Sequence, residues 1–322
     1  MNKKNTLYIV IPCYNEEEII EKSINELTKV IKNLINKKLI SKSSKIFIVD
    51  DGSTDNTFII LKRIIMKNNY VHGVSLSRNY GHQNALMCGM NLAVESADMI
   101  ITIDADLQDD ISVIEEMLLK HFQGNEVVYG IRKTRKKDDL FKRTTAQLFY
   151  RLMLKLGIEI EYNHADFRLL DKRIVNELNK FEERNLFLRG IIPLVGFKSD
   201  KVYYERKERV AGKSKYPLKK MINFALDGIT SFSIKPIRLV FALGIIIFFL
   251  SIIMVIYSVA VKLFGKTVSG WTFIVSSIWL IAGIQMISLG IIGEYIGKIY
   301  SETKKRPRYI IKEELKKTNK ND

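Results

Sequence analysis

Asp104-Ala105-Asp106-Leu107-Gln108-Asp109 places two carboxylates around one small residue, directly after the apolar run Met99-Ile100-Ile101-Thr102-Ile103. Hard oxygen donors at that spacing suit Mg²⁺ or Mn²⁺, which are held by one or two carboxylates together with substrate phosphates. An isolated D-x-D serves equally well as a polar turn, so its surroundings decide. The preceding run has the β-branched, apolar character of a buried strand. Carboxylates at the carboxyl end of such a strand sit where open α/β sheets bind ligands.

The same pattern recurs upstream. Residues 7–15 read Leu-Tyr-Ile-Val-Ile-Pro-Cys-Tyr-Asn, an apolar strand followed by Glu16-Glu17-Glu18 at the start of a helical pattern, where acidic side chains complement the helix dipole. Lys45–Val49 is a second strand that ends in Asp50-Asp51-Gly52-Ser53-Thr54-Asp55, and 57–66 is helical in spacing. His72–Leu76 leads into Ser77-Arg78-Asn79-Tyr80-Gly81-His82-Gln83 and a further helix. Alternating strands and helices predict a parallel nucleotide-binding sheet.

Four motifs now stand in order: Ile9–Glu16, the Asp50–Asp55 turn, Leu76–Gly81 and Asp104–Asp109. Together they resemble the family 2 glycosyltransferases with a GT-A fold, and within them the membrane-bound polyprenyl-phosphate glycosyltransferases related to dolichol-phosphate mannose synthase. Asp166-Phe167-Arg168-Leu169, Phe187-Leu188-Arg189-Gly190, Val195-Gly196-Phe197, Arg209–Tyr216 and Gly293-Glu294-Tyr295-Ile296-Gly297 fit the bacterial branch, so the resemblance covers about residues 7–310.

The resemblance implies roles. Asp106 is the first metal ligand, with Asp104 and Gln108 completing the shell or orienting the ribose. Pro12, Asn15, Glu16, Asp50, Asp51, Arg78 and Asp104 are expected on the donor side, a carboxylate of the Asp50–Asp51 pair accepting from a pyrimidine N–H. Arg132 and Arg143 occupy positions resembling phosphate-binding arginines, and Arg209, Ser214 and Lys215 lie in a Gly-containing loop suited to the same anions. Asp166 is expected as catalytic base or acceptor orienter, or as the ion-pair partner of Arg168 or Arg189, with Asp104 and Arg132 as the other catalytic candidates. Asn163-His164-Ala165 departs from the family's Gly-containing lead-in.

Two segments, Leu239–Val261 and Thr267–Gly293, carry no charge. Each exceeds the roughly 18–20 apolar residues that cross a bilayer. Lys219, Lys220, Lys235 and Arg238 precede the first, Lys298, Lys304, Lys305, Arg306 and Arg308 follow the second, and the connecting loop has only Lys262 and Lys266. This asymmetry predicts a cytoplasmic-membrane protein with both ends and the catalytic part inside. No N-terminal apolar stretch suggests a cleaved signal peptide. Leu218, Met221, Ile222, Ala225, Leu226 and Ile229 recur at helical spacing, for an interfacial helix or one facing a core. Gly283, Gly290, Gly293 and Gly297 give the second segment a small-residue face that suits a homo-oligomer.

The net charge is +16. No zinc-knuckle, helix-turn-helix or aromatic RNA-binding signature accompanies it, so an anionic bilayer and phosphate ligands are expected rather than nucleic acid. Cys13 and Cys88 have no metal or redox spacing and are expected as reduced thiols. The resulting expectation is an α/β GT-A catalytic domain with a mostly parallel sheet over 1–216. An interfacial helix region (217–236), a two-helix transmembrane hairpin (237–298) and a basic tail (299–322) follow. By the resemblance it transfers a sugar with inversion from a nucleotide sugar, most simply a UDP-hexose, to undecaprenyl phosphate. A transferase acting on a lipid or glycan hydroxyl, and a non-catalytic scaffold or flippase partner, are the alternatives at this point. The Gln-x-x-Arg-Trp signature of processive relatives does not occur.

Overall fold

The computed structural model describes residues 5–133, 164–183, 187–206 and 270–316, with scattered positions between 237 and 253. The chain divides into two compact units, one of residues 1–154, 159–217 and 306–322, the other of 155–158 and 218–305.

The first unit is built on eight strands: β1 (Leu7–Cys13), β2 (Lys45–Asp50), β3 (Val71–Leu76), β4 (Met99–Thr102), β5 (Val127–Arg132), β6 (His164–Asp171), β7 (Ser199–Tyr204) and β8 (Ile311–Leu315). Their order across the sheet is β7-β5-β6-β4-β1-β2-β3-β8. Strands β4, β1, β2 and β3 run parallel, in the βαβ arrangement expected from the sequence. β6 is antiparallel to β4 and β5, and β8 is antiparallel to β3, so the sheet is mixed at its flanks. Every residue of β1 is buried, as in a central strand covered on both faces.

Helices α1 (Ile20–Asn36), α2 (Thr57–Lys67) and α4 (Ile114–Phe122) supply one face of the core. In α1 the side chains of Ile20, Ile24, Leu27, Ile31 and Leu34 are buried, a 3–4 residue periodicity that turns one stripe to the sheet. The other face carries α3 (His82–Ala93), α5 (Lys172–Leu178) and α6 (Leu188–Leu194). Gly89 lets α3 lie directly on the sheet, since a Cβ there would come within 2.4 Å of Val10 Cγ1 and 2.9 Å of Val49 Cγ2. Cys13 and Cys88 are free, buried thiols.

The tail differs from the sequence expectation at one point. Residues 311–315, placed above in a basic cytoplasmic tail, form the edge strand of the catalytic sheet. Leu315 enters the core at 4% exposure, which a lysine-rich segment does not announce.

In the second unit, α7 (Trp271–Thr303) is a continuous helix of 33 residues. Among the described residues, no helix is long and apolar enough to cross a membrane. Several side chains between Trp271 and Gly283 lie outside the described residues, as does most of the first uncharged segment, so that statement does not reach either expected span as a whole. The expected interfacial helix, 217–236, lies outside them entirely.

Candidate active site

The parallel register brings the carboxyl ends of β1 and β2 level, Cys13 opposite Asp50, and sets Asp50 opposite Ser75 of β3. A cleft of about 390 Å³ opens there, lined by Tyr14, Asp50, Ser53, Phe58, Arg78 and Lys312 among others. Asp50 is buried, its Oδ1 accepting the Ser53 N–H at 3.1 Å and its Oδ2 the Ser75 hydroxyl at 2.7 Å.

Asp51 does something different. Its two oxygens accept the backbone N–H groups of Tyr80 and Gly81 at 2.8 and 2.9 Å. Burial pushes its carboxyl above the usual range, and those two N–H groups only partly offset the rise. Asp50 thus lines the cleft while Asp51 holds the Arg78–Gly81 loop beside it. Gly52 makes the two turns compatible, having φ +68° and lying so close to Arg78 that a Cβ would meet its carbonyl carbon at 2.4 Å. The Arg78 guanidinium lies 4.7 Å from the centre of the Tyr80 ring.

Pro12, Asn15 and Glu16 brace this turn from the side. Pro12 is buried opposite Val49. The Asn15 N–H donates to Ser53 Oγ at 3.0 Å, and Asn15 Oδ1 accepts the Thr54 N–H at 2.8 Å. The Glu16 N–H donates to Thr57 Oγ1 at 2.8 Å.

A second group of charges lies at the end of β4. Asp166, on β6, is nearly buried and accepts from Arg168 Nη2 at 2.7 Å and from Arg189 Nη2 at 3.0 Å. His82 Nε2, at the start of α3, stands 3.4 Å from Asp166 Oδ2 and 3.6 Å from Asp104 Oδ1. Burial alone would raise Asp166, but the Arg189 guanidinium, His82 and Arg168 overcome it and hold the carboxyl well below the usual range. Burial disfavours a charged His82, and Asp166 and Asp104 outweigh it and raise the imidazole. Asp104 is pushed up to about 6, first by burial and further by the carboxylates of Asp109, Asp166 and Asp106, against the pull of His82.

The loop carrying Asp106 is held at both ends. Ser23 donates to the Ala105 carbonyl at 2.6 Å, and the Gln108 N–H donates to Asp106 Oδ1 at 3.2 Å. Leu107 takes φ 53°, a left-handed conformation that reverses the chain between them. Gln108 Oε1 accepts from Arg206 Nη2. Asp109, also buried, accepts from the Tyr204 hydroxyl at 2.6 Å and from Arg132 Nη2 at 3.1 Å, so Arg132 braces this loop from β5.

Among the described residues, no group of three or more carboxylate, imidazole or thiolate side chains is placed to hold a metal by itself. Asp104 and Asp106 fit a cation that takes its other ligands from phosphate and water, which is the habit of Mg²⁺.

Arg143, Arg209, Ser214 and Lys215 lie outside the described residues. Arg189 and Arg168 both pair with Asp166, as the ion-pair alternative expects. Three residues near these groups have no role assigned from the sequence: His82, Tyr204 and Lys312. His82 stands inside a motif run quoted above, which is its only signal. Tyr204 and Lys312 carried none.

The mixed, mostly parallel sheet, covered on both faces and with a cleft and acidic turns at the carboxyl ends of its parallel strands, is a GT-A, Rossmann-like α/β fold. The chain belongs to the glycosyl transferase family 2, which matches residues 8–178, and it is a glycosyltransferase. The GtrB C-terminal hairpin matches residues 235–299. The chain is 54% identical over 305 residues to the uncharacterized glycosyltransferase YkoT of Bacillus subtilis, covering 95% of this chain and 90% of that one. It is 39% identical over 311 residues to the bactoprenol glucosyl transferase of Shigella phage SfV, covering 96% and 99%. Among solved structures, glucosyl-3-phosphoglycerate synthase from Mycobacterium tuberculosis aligns with a TM-score of 0.45 at 18% identity, covering 71% and 79%.

Proposed function

We propose that this protein transfers a hexose from a UDP-sugar to undecaprenyl phosphate at the cytoplasmic face of the membrane, with inversion at the anomeric carbon. The observation that carries this reading is the end-to-end similarity to a bactoprenol glucosyl transferase, hairpin included. The layout of the site supports it. The acceptor phosphate has a second pKa near 6, roughly as for other phosphate monoesters, so its oxygen is already a nucleophile at neutral pH. It needs gathering and orientation more than a strong base. Asp166, tied to two guanidinium groups, is a poor proton acceptor and a good anchor for Arg189 and His82 beside Asp104.

Mg²⁺ or Mn²⁺ held by Asp106 and Asp104 would supply charge neutralisation for the departing nucleoside diphosphate. On the chain's side, Asp50 and Arg78 hold the nucleotide end in the cleft. Asp104, Asp106, His82 and Arg189 set the charge about the sugar and acceptor, and Arg132 fixes the loop through Asp109.

The membrane assignment is supported by the two uncharged segments, Leu239–Val261 and Thr267–Gly293, and by the match of residues 235–299 to the GtrB C-terminal hairpin. In α7, Ile274, Ile278, Met286, Ile287, Leu289 and Ile296 are exposed, an apolar surface that calls for cover by lipid. Purified protein incubated with undecaprenyl phosphate and labelled nucleotide sugars should yield a lipid-linked sugar from one UDP-hexose. Transfer to water-soluble alcohols instead would overturn the acceptor. A reporter placed at 262–266 should read outside and one after Asp322 inside.

A further inference from the structure

The cleft beside Asp50 contains a cation that comes from the far end of the chain. After α7 the backbone is pinned to the catalytic unit at successive points. Arg308 Nη2 donates to the Phe181 carbonyl, the Tyr309 hydroxyl accepts from Asn91 Nδ2 at 3.1 Å, and the Ser77 N–H donates to the Ile310 carbonyl at 2.9 Å. β8 then pairs Ile311 with Leu76, Glu313 with Ser75, Glu314 with Val74 and Leu315 with Gly73. Between the first two pairs lies Lys312, an extra residue opposite no partner, in a β-bulge.

A bulge breaks the alternation of a strand and re-aims one side chain. Here Lys312 lines the cleft with Asp50 and Arg78, its Nζ 5.8 Å from the centre of the Phe58 ring. The next residue, Glu313, is engaged elsewhere, accepting from Lys62 Nζ at 2.7 Å. Buried Leu315 fixes the strand three residues on.

We propose that Lys312 is a donor-site residue: its ammonium binds an oxygen of the nucleotide held in the cleft between Asp50, Arg78 and Phe58. This rests on the nucleotide-sugar reading given above. The cleft combines one buried carboxylate, two cations and the aromatic rings of Tyr14 and Phe58. That lining matches a flat heterocycle carrying acceptor oxygens and an anionic substituent. The segment that follows the hairpin thereby completes a site otherwise built from residues 14–79.

The test uses the full-length protein in lipid nanodiscs, titrated with UDP, UMP and uridine. Lys312→Ala should raise the Kd for UDP about tenfold, as expected for loss of a hydrogen bond from a charged group. Lys312→Arg should recover most of it, and Lys316→Ala, on the same segment outside the cleft, should stay near wild type. The KM for polyprenyl phosphate should be unchanged, and the melting temperature close to wild type, because Lys312 is exposed. An equal loss with uridine would place the ammonium on the base, and a loss confined to UMP and UDP would place it on phosphate. Unchanged UDP affinity in Lys312→Ala would overturn this assignment and leave the donor reading standing. A wild type that binds neither UDP nor GDP would overturn both.

Discussion

The cleft at the ends of β2 and β3 and the charged cluster at the end of β4 both hold carboxylates, yet they are built differently. In the cleft, Asp50 and Asp51 accept hydrogen bonds from hydroxyls and backbone N–H groups within about 30 residues of chain. In the cluster, Asp166 is balanced by full charges, Arg168 from its own strand and Arg189 from α6, with His82 from α3. Neutral donors can be lost at modest cost. A buried charge that loses its partner cannot be, because the remaining ion has no solvent to turn to. The cleft should therefore tolerate substitution as a fold and fail as a binding site, whereas the cluster should fail as both.

The largest effect is expected at Asp166. Asp166→Ala leaves Arg168, fully buried, without its carboxylate, and should cost about 3–5 kcal/mol of stability, read by denaturant unfolding of the protein in detergent. The pH dependence carries a sign. Asp166 titrates below its unfolded value, so its contribution is complete above the ordinary aspartate pKa of about 3.9 and is lost as pH falls through the lower folded value. Because Asp166 also raises the His82 imidazole, the stability gap between wild type and Asp166→Ala should widen as pH falls through the His82 range and narrow only below the ordinary aspartate value. A gap that narrows between neutral pH and that point would break the account of the cluster.

Asp106→Asn comes next and should separate chemistry from folding. It keeps the acceptor oxygen that takes the Gln108 N–H and removes a charge. Turnover is expected to fall at least a hundredfold, about 2.7 kcal/mol of barrier, with unfolding unchanged. Chelation of the wild type should reproduce the loss, and Mg²⁺ or Mn²⁺ should restore only the wild type. Undiminished turnover of Asp106→Asn in chelator would remove the metal from the mechanism.

Asp51→Ala sharpens the contrast inside the cleft. It frees two backbone N–H groups and releases the Arg78–Gly81 loop, which should cost about 2 kcal/mol in nucleotide binding. If it instead unfolds the protein as severely as Asp166→Ala, the distinction between the two regions fails. Ser75→Ala is the mildest, removing one hydrogen bond to Asp50 Oδ2 for about 1 kcal/mol, a severalfold rise in nucleotide Kd.

The parts that could be read from the sequence are those in which local pattern and position coincide. The strands ending at Cys13, Asp50, Leu76 and Thr102 were each marked by an apolar run and a polar stop, and four parallel strands in βαβ order follow from them. The acidic turns sit at the carboxyl ends because that is where each run stops. Roles within a turn were less legible. Asp50 and Asp51 are adjacent and chemically identical, and only the position of the Tyr80 and Gly81 N–H groups divides them between ligand cleft and loop. Gln108 and Arg132 show the same limit. The side chains stand near the predicted loop, but Arg206 and Asp109 engage them.

The sequence by itself thus determined the fold class, the family and the order of the acidic turns, since period-two and period-3.6 burial and the reach of a few residues settle those locally. Tertiary structure alone decided which distant charges meet. His82 faces Asp104 and Asp166 because α3 starts over the end of β4, a placement set by packing Gly89 against Val10 and Val49. Lys312 reaches the cleft because the chain comes back from the 218–305 unit as an edge strand with a bulge. No local periodicity encodes such a meeting. Its free energy lies in contacts between separate segments, more than 200 residues apart for Lys312 and Asp50, and those contacts exist only once the sheet has formed.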